Sequence, residues 1–369
     1  MNKNILYRLL AGLVFIVQLS SCSFVTTIRT QELSGYIKAG NPDIQYIGRF
    51  DFSNPEKVTF DWPGVSIHAK FEGTSCSIRL NDHKNEYAVI IDNRAPRILT
   101  TDSSNVYRVA MGLADSIPHT ITITKRSEPL FGKGEFQGFI LDSGRKLLPP
   151  DNRPERRIEF IGNSMTCGYG VEGDSGTCHF SLETENAGMS YATMTARALN
   201  ADYSLVAYSG RGVVRNYGDT NKTSPDPMPS LYDRICFNDS TSKWDFSKWI
   251  PQAVVINLGT NDFSTKPFPD KDVFQNGYVQ LINRVRTLYP GVTIFCVCGP
   301  MTSEPCMSYI KEIVINEQKK TRDKDVFFIP IPRSIMTDSD WGCDLHPNIS
   351  GAVKMINEIV PVIKTFMNW

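Results

Sequence analysis

The chain has 369 residues, and its 39 Lys and Arg residues balance its 39 Asp and Glu residues, so the formal net charge is zero. Such a balance provides no net field that would draw the protein to nucleic acid or to an anionic membrane surface. The length is sufficient for two domains, and the hydrophobic content of 41% is typical of a globular protein.

The amino terminus has the pattern of a secretory signal. Lys3 and Arg8 precede an apolar stretch over residues 9–19, which is too short to cross a membrane as a helix. Small residues then lead to Cys22, an arrangement similar to a bacterial lipobox, in which the thiol is lipidated. We therefore predict a signal peptide over residues 1–21 and an exported lipoprotein that is anchored at Cys22, in the periplasm or at the cell surface. An ordinary signal peptide followed by an incidental cysteine is the alternative.

Residues 22–37 are mostly polar and lack clear periodicity, so they are predicted to be a tether. Residues 38–150 show short alternating apolar runs that are separated by turn residues, such as Val65–Phe71 and Tyr87–Asp92. This spacing favours an antiparallel β-sandwich of the jelly-roll type.

The proline-rich segment Leu147–Pro154 ends the β pattern and is the predicted domain boundary. From residue 151 to residue 369, strand-like runs alternate with helical stretches such as Asp272–Leu288, whose apolar residues recur at helical spacing. Such alternation predicts an α/β domain with three layers, in which helices cover both faces of a parallel sheet.

Eight cysteines remain besides Cys22, and an exported protein is free to form disulfides. Cys167 and Cys178 flank one loop. Two predictions are therefore possible: a disulfide between them, or two buried free thiols. Cys296 and Cys298 alternate within a strand and are expected to be core thiols. Because the chain contains no HExxH sequence and no paired CxxC motifs, we expect no metal and no other cofactor.

Four short segments carry the residue types that ester hydrolysis requires. The first three directly follow strand-like runs and therefore lie at the carboxyl edge of the predicted sheet. Together the four segments supply a nucleophilic hydroxyl, an imidazole base and N–H donors for a developing oxyanion. They are Ile161–Ser164, Ser209–Gly212, Leu258–Asp262 and Asp344–Pro347.

Ser164 is the predicted nucleophile and His346 the predicted base. A serine after a strand is often only a helix cap, and a histidine before a helix is often only a surface residue. Their occurrence together with the other segments favours catalysis. His179, which lies in the long loop after Ser164, is the fallback base and is otherwise expected to be a loop residue or a substrate contact.

The predicted oxyanion donors are the backbone N–H of Gly212, the side-chain amide of Asn261 and the backbone N–H of Ser164. Each such donor typically contributes about 10²–10³ in rate. Gly210 competes with Gly212 for the glycine position.

At these residues the chain resembles the SGNH (GDSL-like) hydrolases, whose signature Ser, Gly, Asn and His match Ser164, Gly212, Asn261 and His346. The segments Gly162–Glu172 and Glu183–Asn186, together with the preceding sandwich, resemble carbohydrate esterase family 2. The resemblance implies Ser–His acyl transfer without a cofactor, and the removal of acetyl groups from polysaccharides or oligosaccharides related to xylan and glucomannan.

Two positions depart from the usual SGNH pattern. Cys343 stands where most members have an Asp three residues before the His, and Asp344 lies two residues before it. Since family 2 enzymes orient the His through a main-chain carbonyl, the resemblance implies that Asp344 contributes its carbonyl, with a side-chain role as the alternative. Asn163 replaces the Asp of many relatives, a change that we expect to be tolerated.

Trp341, five residues before His346, is a candidate stacking platform for a sugar ring, or an ordinary core or rim aromatic residue. The sandwich is expected to shape the cleft, to bind glycan or to give structural support. We expect a monomer. Two other functions stay open: an SGNH thioesterase or lysophospholipase, which needs a deep apolar acyl tunnel, and a non-catalytic glycan-binding lipoprotein.

Overall fold

The computed structural model describes residues 35–321 and 325–369. The predicted signal peptide, the lipidation site Cys22 and most of the predicted tether lie outside these residues. The last two residues of that tether, Tyr36 and Ile37, belong to the first strand of the fold.

Residues 36–148 form two antiparallel sheets. The strands are β1 (Tyr36–Lys38), β2 (Ile44–Ile47), β3 (Val58–Phe60), β4 (Ser66–Phe71), β5 (Cys76–Asn81), β6 (Glu86–Ile91), β7 (Arg97–Thr100), β8 (Val106–Ala110), β9 (His119–Lys125), β10 (Gly134–Leu141) and β11 (Leu147–Leu148). One sheet has the order β1-β10-β5-β8 with β3 also on β10, and the other has the order β11-β4-β9-β6-β7 with β2 also on β4.

Alternation of side chains explains why these segments are strands. In β5, Cys76, Ile78 and Leu80 are buried and the residues between them are half-buried. Ile121 and Ile123 of β9, in the other sheet, belong to the same hydrophobic core. The predicted antiparallel sandwich is therefore confirmed.

A parallel sheet follows, also as predicted. Its strands lie in the order β13-β12-β14-β15-β16, and all of its pairings are parallel. The strands are β12 (Arg156–Gly162), β13 (Ala201–Ala207), β14 (Ala253–Asn257), β15 (Thr293–Cys298) and β16 (Val326–Pro330). A hairpin of β17 (Trp341–Gly342) and β18 (His346–Pro347) follows the last of them.

Helices cover both faces of this sheet. They are α1 (Ser164–Cys167), α2 (Tyr191–Ala198), α3 (Met228–Leu231), α4 (Lys271–Leu288), α5 (Cys306–Thr321) and α6 (Ile349–Met367). On one face, α2 and α6 pack on buried residues such as Phe160 and Val255. On the other face, α4 and α5 pack on residues such as Ile161 and Ile256, and this second core is continuous with that of the sandwich. None of the helices in the described residues is long and apolar enough to span a bilayer.

A buried ion pair joins the two parts of the fold. Arg49 follows strand β2 of the sandwich, and its Nη2 donates to Glu159 Oε1 at 3.0 Å, with both side chains inaccessible to solvent. Glu159 lies in β12, the strand that leads to Ser164. The sandwich is thereby fixed to the strand that carries the predicted nucleophile.

Candidate active site

The Ser164 hydroxyl lies at the carboxyl end of β12, at the start of α1. Asn163 caps this helix, because its side-chain oxygen accepts from Met165 N at 3.2 Å. Gly162 is required before the cap, since a Cβ there would lie 2.0 Å from Thr166 Oγ1. The turn is therefore closely packed and holds Ser164 in one place.

His346 meets Ser164 from the far end of the chain. Its Nε2 lies 2.8 Å from Ser164 Oγ, and its Nδ1 lies 3.2 Å from the main-chain oxygen of Asp344. A carbonyl only accepts hydrogen bonds, so Nδ1 carries the proton and Nε2 is the acceptor for the serine hydroxyl. The tautomer is the one that a general base needs.

The environment of His346 favours the neutral imidazole. The residue is 9% exposed, and the Tyr169 ring lies 4.2 Å from the imidazole, centroid to centroid. Burial lowers the pKa of His346 to about 4, against the opposing effect of the backbone carbonyls of Asp344 and Cys343. A neutral imidazole at neutral pH is ready to take the serine proton.

The Asp344 carboxylate points away from His346. Its Oδ1 accepts from His179 Nδ1 at 2.9 Å, and its Oδ2 accepts from the Tyr169 hydroxyl at 2.8 Å and from Phe180 N at 3.0 Å. The residue has a φ of 52°, which turns its carbonyl towards Nδ1. His179, the fallback base, is almost fully exposed and contacts Asp344, whereas Ser164 is bonded to His346.

Three residues that carry N–H donors, Ser164, Gly210 and Asn261, line one pocket. Asn261 borders the same pocket, and its Nδ2 uses one hydrogen on the carbonyl of Arg211 at 2.8 Å, which leaves a second hydrogen. Within residues 35–321 and 325–369, the backbone N–H groups of Ser164 and Gly210 have no protein acceptor. Such unpaired donors are what an oxyanion site provides.

The prediction of Gly212 as the glycine donor does not agree with the structure. Gly212 is buried, and its N–H donates to Asn216 Oδ1 at 3.3 Å. It is Gly210, with a φ of +78°, that borders the pocket. Gly212 has a different requirement, because a Cβ there would lie 2.4 Å from the carboxylate of Asp262.

Asp262 explains the conformation of this loop. Its buried carboxylate accepts from the backbone N–H groups of Val213, Val214 and Arg215 at 2.7–3.1 Å. Burial raises its pKa to about 6 despite these bonds. The loop after Gly210 is thus folded around one carboxylate.

A surface pocket of about 680 Å³ contains Ser164 and His346. The exposed ring of Tyr217 borders it. The other lining residues are Tyr169, Ser209, Gly210, Thr260, Asn261, Phe263, Ser264, Met301, Ser303 and Asp344.

Trp341, the predicted stacking platform for a sugar ring, does not line this pocket. It is 6% exposed and lies under the guanidinium of Arg333, 4.3 Å from the ring centroid. Trp341 is therefore a core aromatic residue, which was the alternative to a stacking platform.

A disulfide ties the loop after Ser164 to the loop that carries His346. It joins Cys178 to Cys343, whereas Cys167 is a buried free thiol. The bridge considered between Cys167 and Cys178 is therefore wrong. The two cysteines lie 165 positions apart, and cysteine spacing alone does not determine which thiols pair.

Sequence reasoning missed two residues that contact the site. Tyr169 contacts both Asp344 and His346, and Glu128 of the sandwich accepts from Ser209 N at 2.7 Å. Glu128, Cys167 and Glu185 form the one group in the described residues that offers three potential metal ligands. In this group, Glu128 Oε2 lies 3.7 Å from Cys167 Sγ, and Glu185 accepts from Glu128 N at 3.2 Å.

A serine hydroxyl bonded to a neutral imidazole, beside unpaired N–H donors at the carboxyl edge of a parallel sheet, defines a serine-type ester hydrolase. Two family models match the chain: "Carbohydrate esterase 2 N-terminal" over residues 46–150 and "GDSL-like Lipase/Acylhydrolase family" over residues 160–353.

Characterised relatives agree with these matches. The cellulase/esterase CelE of Acetivibrio thermocellus is 39% identical over 338 residues, which are 89% of this chain and 40% of that protein, so the chain spans less than half of CelE. An acetylxylan esterase/glucomannan deacetylase of Cellvibrio japonicus is 27% identical over 98% of both chains. A family two carbohydrate esterase of Clostridium thermocellum, solved in complex with cellohexaose, is 37% identical, with a TM-score of 0.82 over 88% of this chain and 99% of that one. The chain belongs to carbohydrate esterase family 2.

Proposed function

We propose that the protein is a carbohydrate O-acetyl esterase that removes acetyl groups from polysaccharides or oligosaccharides. The observation that carries the proposal is the 2.8 Å contact between His346 Nε2 and Ser164 Oγ in an open pocket. The names of the relatives, acetylxylan esterase/glucomannan deacetylase, make acetylated xylan and glucomannan the first substrates to test.

The reaction proceeds by acyl transfer in two steps. His346 Nε2 takes the proton of Ser164 Oγ as that oxygen attacks the acetyl carbonyl. The tetrahedral intermediate collapses, His346 protonates the departing sugar oxygen, and an acetyl–serine ester remains. Water then loses a proton to His346 and attacks this ester. The second tetrahedral intermediate collapses with release of acetate as His346 returns the proton to Ser164 Oγ.

The other residues of the site stabilise the oxyanion and orient the imidazole of His346. The N–H groups of Ser164, Gly210 and Asn261 donate to the oxyanion, with Gly210 in place of the Gly212 of the sequence prediction. The carbonyl of Asp344 keeps the Nδ1 proton in place, so the catalytic unit is a Ser–His dyad with a main-chain acceptor.

The experiment measures acetate released from acetylated xylan and from acetylated glucomannan by the chain without residues 1–22, beside Ser164→Ala. We expect release that Ser164→Ala abolishes without a change in the circular dichroism spectrum. Hydrolysis of octanoyl esters in preference to acetyl esters would instead support the thioesterase or lysophospholipase alternative. Binding of xylan without any hydrolysis would support the non-catalytic alternative.

We also propose that the protein is anchored to a membrane by lipid on Cys22, on the basis of the lipobox-like sequence that precedes this residue. Expression of the full chain in a bacterial host with labelled palmitate tests the anchor. The label should enter the wild-type chain and be absent from Cys22→Ser. Equal labelling of both chains would exclude Cys22 as the anchor.

A further inference from the structure

One segment of the sandwich extends into the candidate site. It follows β9 and runs from Arg126 to Phe131. The carbonyl of Arg126 accepts from Ala187 N at 2.8 Å, and its guanidinium donates to the carbonyl of Glu183 at 2.9 Å. The Phe131 ring stacks on Phe180, with the centroids 6.1 Å apart. The segment is thus held against the loops that surround Ser164.

Glu128, in the middle of this segment, contacts two parts of the site at once. The residue is 1% exposed. Its Oε2 accepts from the backbone N–H of Ser209 at 2.7 Å and lies 3.7 Å from Cys167 Sγ. Ser209 directly precedes Gly210, and Cys167 ends the short helix that begins with Ser164. One carboxylate therefore contacts the backbone N–H next to Gly210 and the side chain of a residue in the short helix that begins with Ser164.

A second buried carboxyl group supports Glu128. Glu185 is fully buried, and its Oε2 accepts from Glu128 N at 3.2 Å. Burial raises the pKa of both carboxyl groups, and the charge of Glu128 raises the pKa of Glu185 further, whereas Lys125 lowers the pKa of both. Ser209 N and Cys167 Sγ both donate to the Glu128 carboxylate.

The turn at Ser209 and Gly210 is fixed by a hydrogen bond at each end. Ser209 N–H is bonded to Glu128, and the carbonyl of Gly210 accepts from Tyr217 N at 2.7 Å. Between these two bonds lies the unpaired N–H of Gly210. An oxyanion donor works only at about 2.7–3.1 Å from its acceptor. A displacement of about 1 Å in such a site costs about 10²-fold in rate.

We propose that Glu128 is a positioning residue for the oxyanion donors, so that the sandwich completes the hydrolase site by fixing the Ser209–Gly210 backbone. The proposal rests on the proposed esterase function. In this role the sandwich does more than stabilise the fold, because it also sets the geometry of the oxyanion donors. Glu128 itself touches no reacting atom and acts through Ser209.

The test compares Glu128→Met, which removes the acceptor at similar volume, with Glu128→Gln, whose amide oxygen still accepts from Ser209 N. On 4-nitrophenyl acetate we expect Glu128→Met to lower kcat by about 10²-fold with KM nearly unchanged, and Glu128→Gln to stay within about tenfold of the wild type. A boronic acid that forms a tetrahedral adduct with Ser164 should bind Glu128→Met more weakly in proportion to the loss of kcat. A purely structural role would not move this inhibition constant in folded enzyme.

Asp61→Leu is the matched control. Asp61 is another buried sandwich carboxylate that accepts from hydrolase backbone, at Phe237 N (2.7 Å) and Asn238 N (3.1 Å), but these residues lie outside the pocket lining. This variant should lose thermal stability and keep kcat. If Glu128→Met does not fold, Glu128→Asp serves, because its shorter side chain withdraws the carboxylate from Ser209 and should lower kcat in the same way.

Two results would overturn the proposal while the esterase function stands: a wild-type kcat in folded Glu128→Met or Glu128→Asp, or an equal loss in Glu128→Gln and Glu128→Met. An inactive wild-type protein, or a Ser164→Ala variant as active as the wild type, would instead overturn the proposed function itself.

Discussion

At the scale of single residues, burial determines the protonation of the base. An exposed histidine has a pKa of about 6.5, whereas burial lowers the pKa of His346 to about 4. The base is the neutral form, which exists above that pKa. A lowered pKa therefore extends activity into acid solution.

We expect kcat/KM for an acetyl ester to stay constant from neutral pH down to about pH 5. Below the His346 pKa of about 4 it should fall by about a factor of ten per pH unit, because only the unprotonated imidazole takes the serine proton. The measurement is a pH profile of kcat/KM, which reports the free enzyme. Samples returned from acid to pH 7 should recover full activity, and a limb centred near the pKa of an exposed histidine would contradict the expectation.

Asp344→Asn distinguishes a dyad from a triad. The asparagine oxygen can still accept from Tyr169 and Phe180, and asparagine tolerates the positive φ of this position. Because the acceptor for His346 Nδ1 is the main-chain carbonyl, kcat should fall by less than about tenfold, against about 10⁴ for an orienting carboxylate of a triad. Steady-state kinetics beside His346→Ala makes the comparison, and a loss as large as that of His346→Ala would show that the carboxylate itself is needed.

The residues that carry distinctive chemistry were the ones predictable from sequence. Ser164, His346 and Asn261 each lie within a recognisable segment, and the structure brings them to one pocket. Which of Gly210 and Gly212 supplies the free N–H was not predictable. It depends on the side chain of Asn216, which accepts from Gly212 N, and on a backbone turn around Asp262. Glu128 carried no sequence signal, since its role comes from packing between two parts of the fold.

At the scale of elements, the loop before α6 is held in an unusual conformation. Asp344 and Leu345 both have positive φ, at 52° and 57°. Their N–H groups donate to the carbonyls of Cys178 (2.8 Å) and Gly176 (3.2 Å). Since Cys178 is also bonded to Cys343, the disulfide fixes the backbone that presents the carbonyl of Asp344 to His346. The strands and helices were predictable from periodicity, but this loop has none.

Replacing both Cys178 and Cys343 by Ala should lower the free energy of unfolding by about 2–4 kcal/mol. It should also lower kcat, because the carbonyl that orients His346 loses its support. Chemical denaturation and steady-state kinetics provide the two measurements. Reducing agent should affect the wild type in the same direction and leave the double variant unchanged, and a double variant with wild-type kcat would contradict the positioning of His346 by this bridge.

At the scale of the whole molecule, buried polar groups of the sandwich bond to the hydrolase part at several places in the described residues, including the following three. Arg49 pairs with Glu159, Asp61 accepts from the backbone near Phe237, and Glu128 accepts from Ser209. A buried polar group is costly unless it is bonded, so each contact is lost if the two parts separate. This argues that the sandwich and the α/β layers fold as one unit, whereas the sequence pattern alone suggested two domains.

Arg49→Met tests this coupling. It leaves the carboxylate of Glu159 buried without its cation, with the hydroxyl of Tyr232 as a remaining donor. Removing one partner of a buried pair typically costs about 3–5 kcal/mol, whereas replacing both by apolar residues is often nearly neutral. We therefore expect Arg49→Met to lower the free energy of unfolding by about that amount. Arg49→Met with Glu159→Met should recover part of it, because the carbonyls of Tyr232 and Arg234 still lack the donor that Arg49 supplied.

Urea unfolding, followed by far-UV circular dichroism and by tryptophan fluorescence, makes the measurement. The wild type and both variants should each unfold in one transition that is the same for both probes, because Arg49 anchors the sandwich to the strand that carries Ser164 and neither part keeps its buried charges satisfied alone. Two separate transitions, with only the first shifted by Arg49→Met, would mean that the sandwich unfolds independently and that its hold on the active site is weaker than the buried contacts imply.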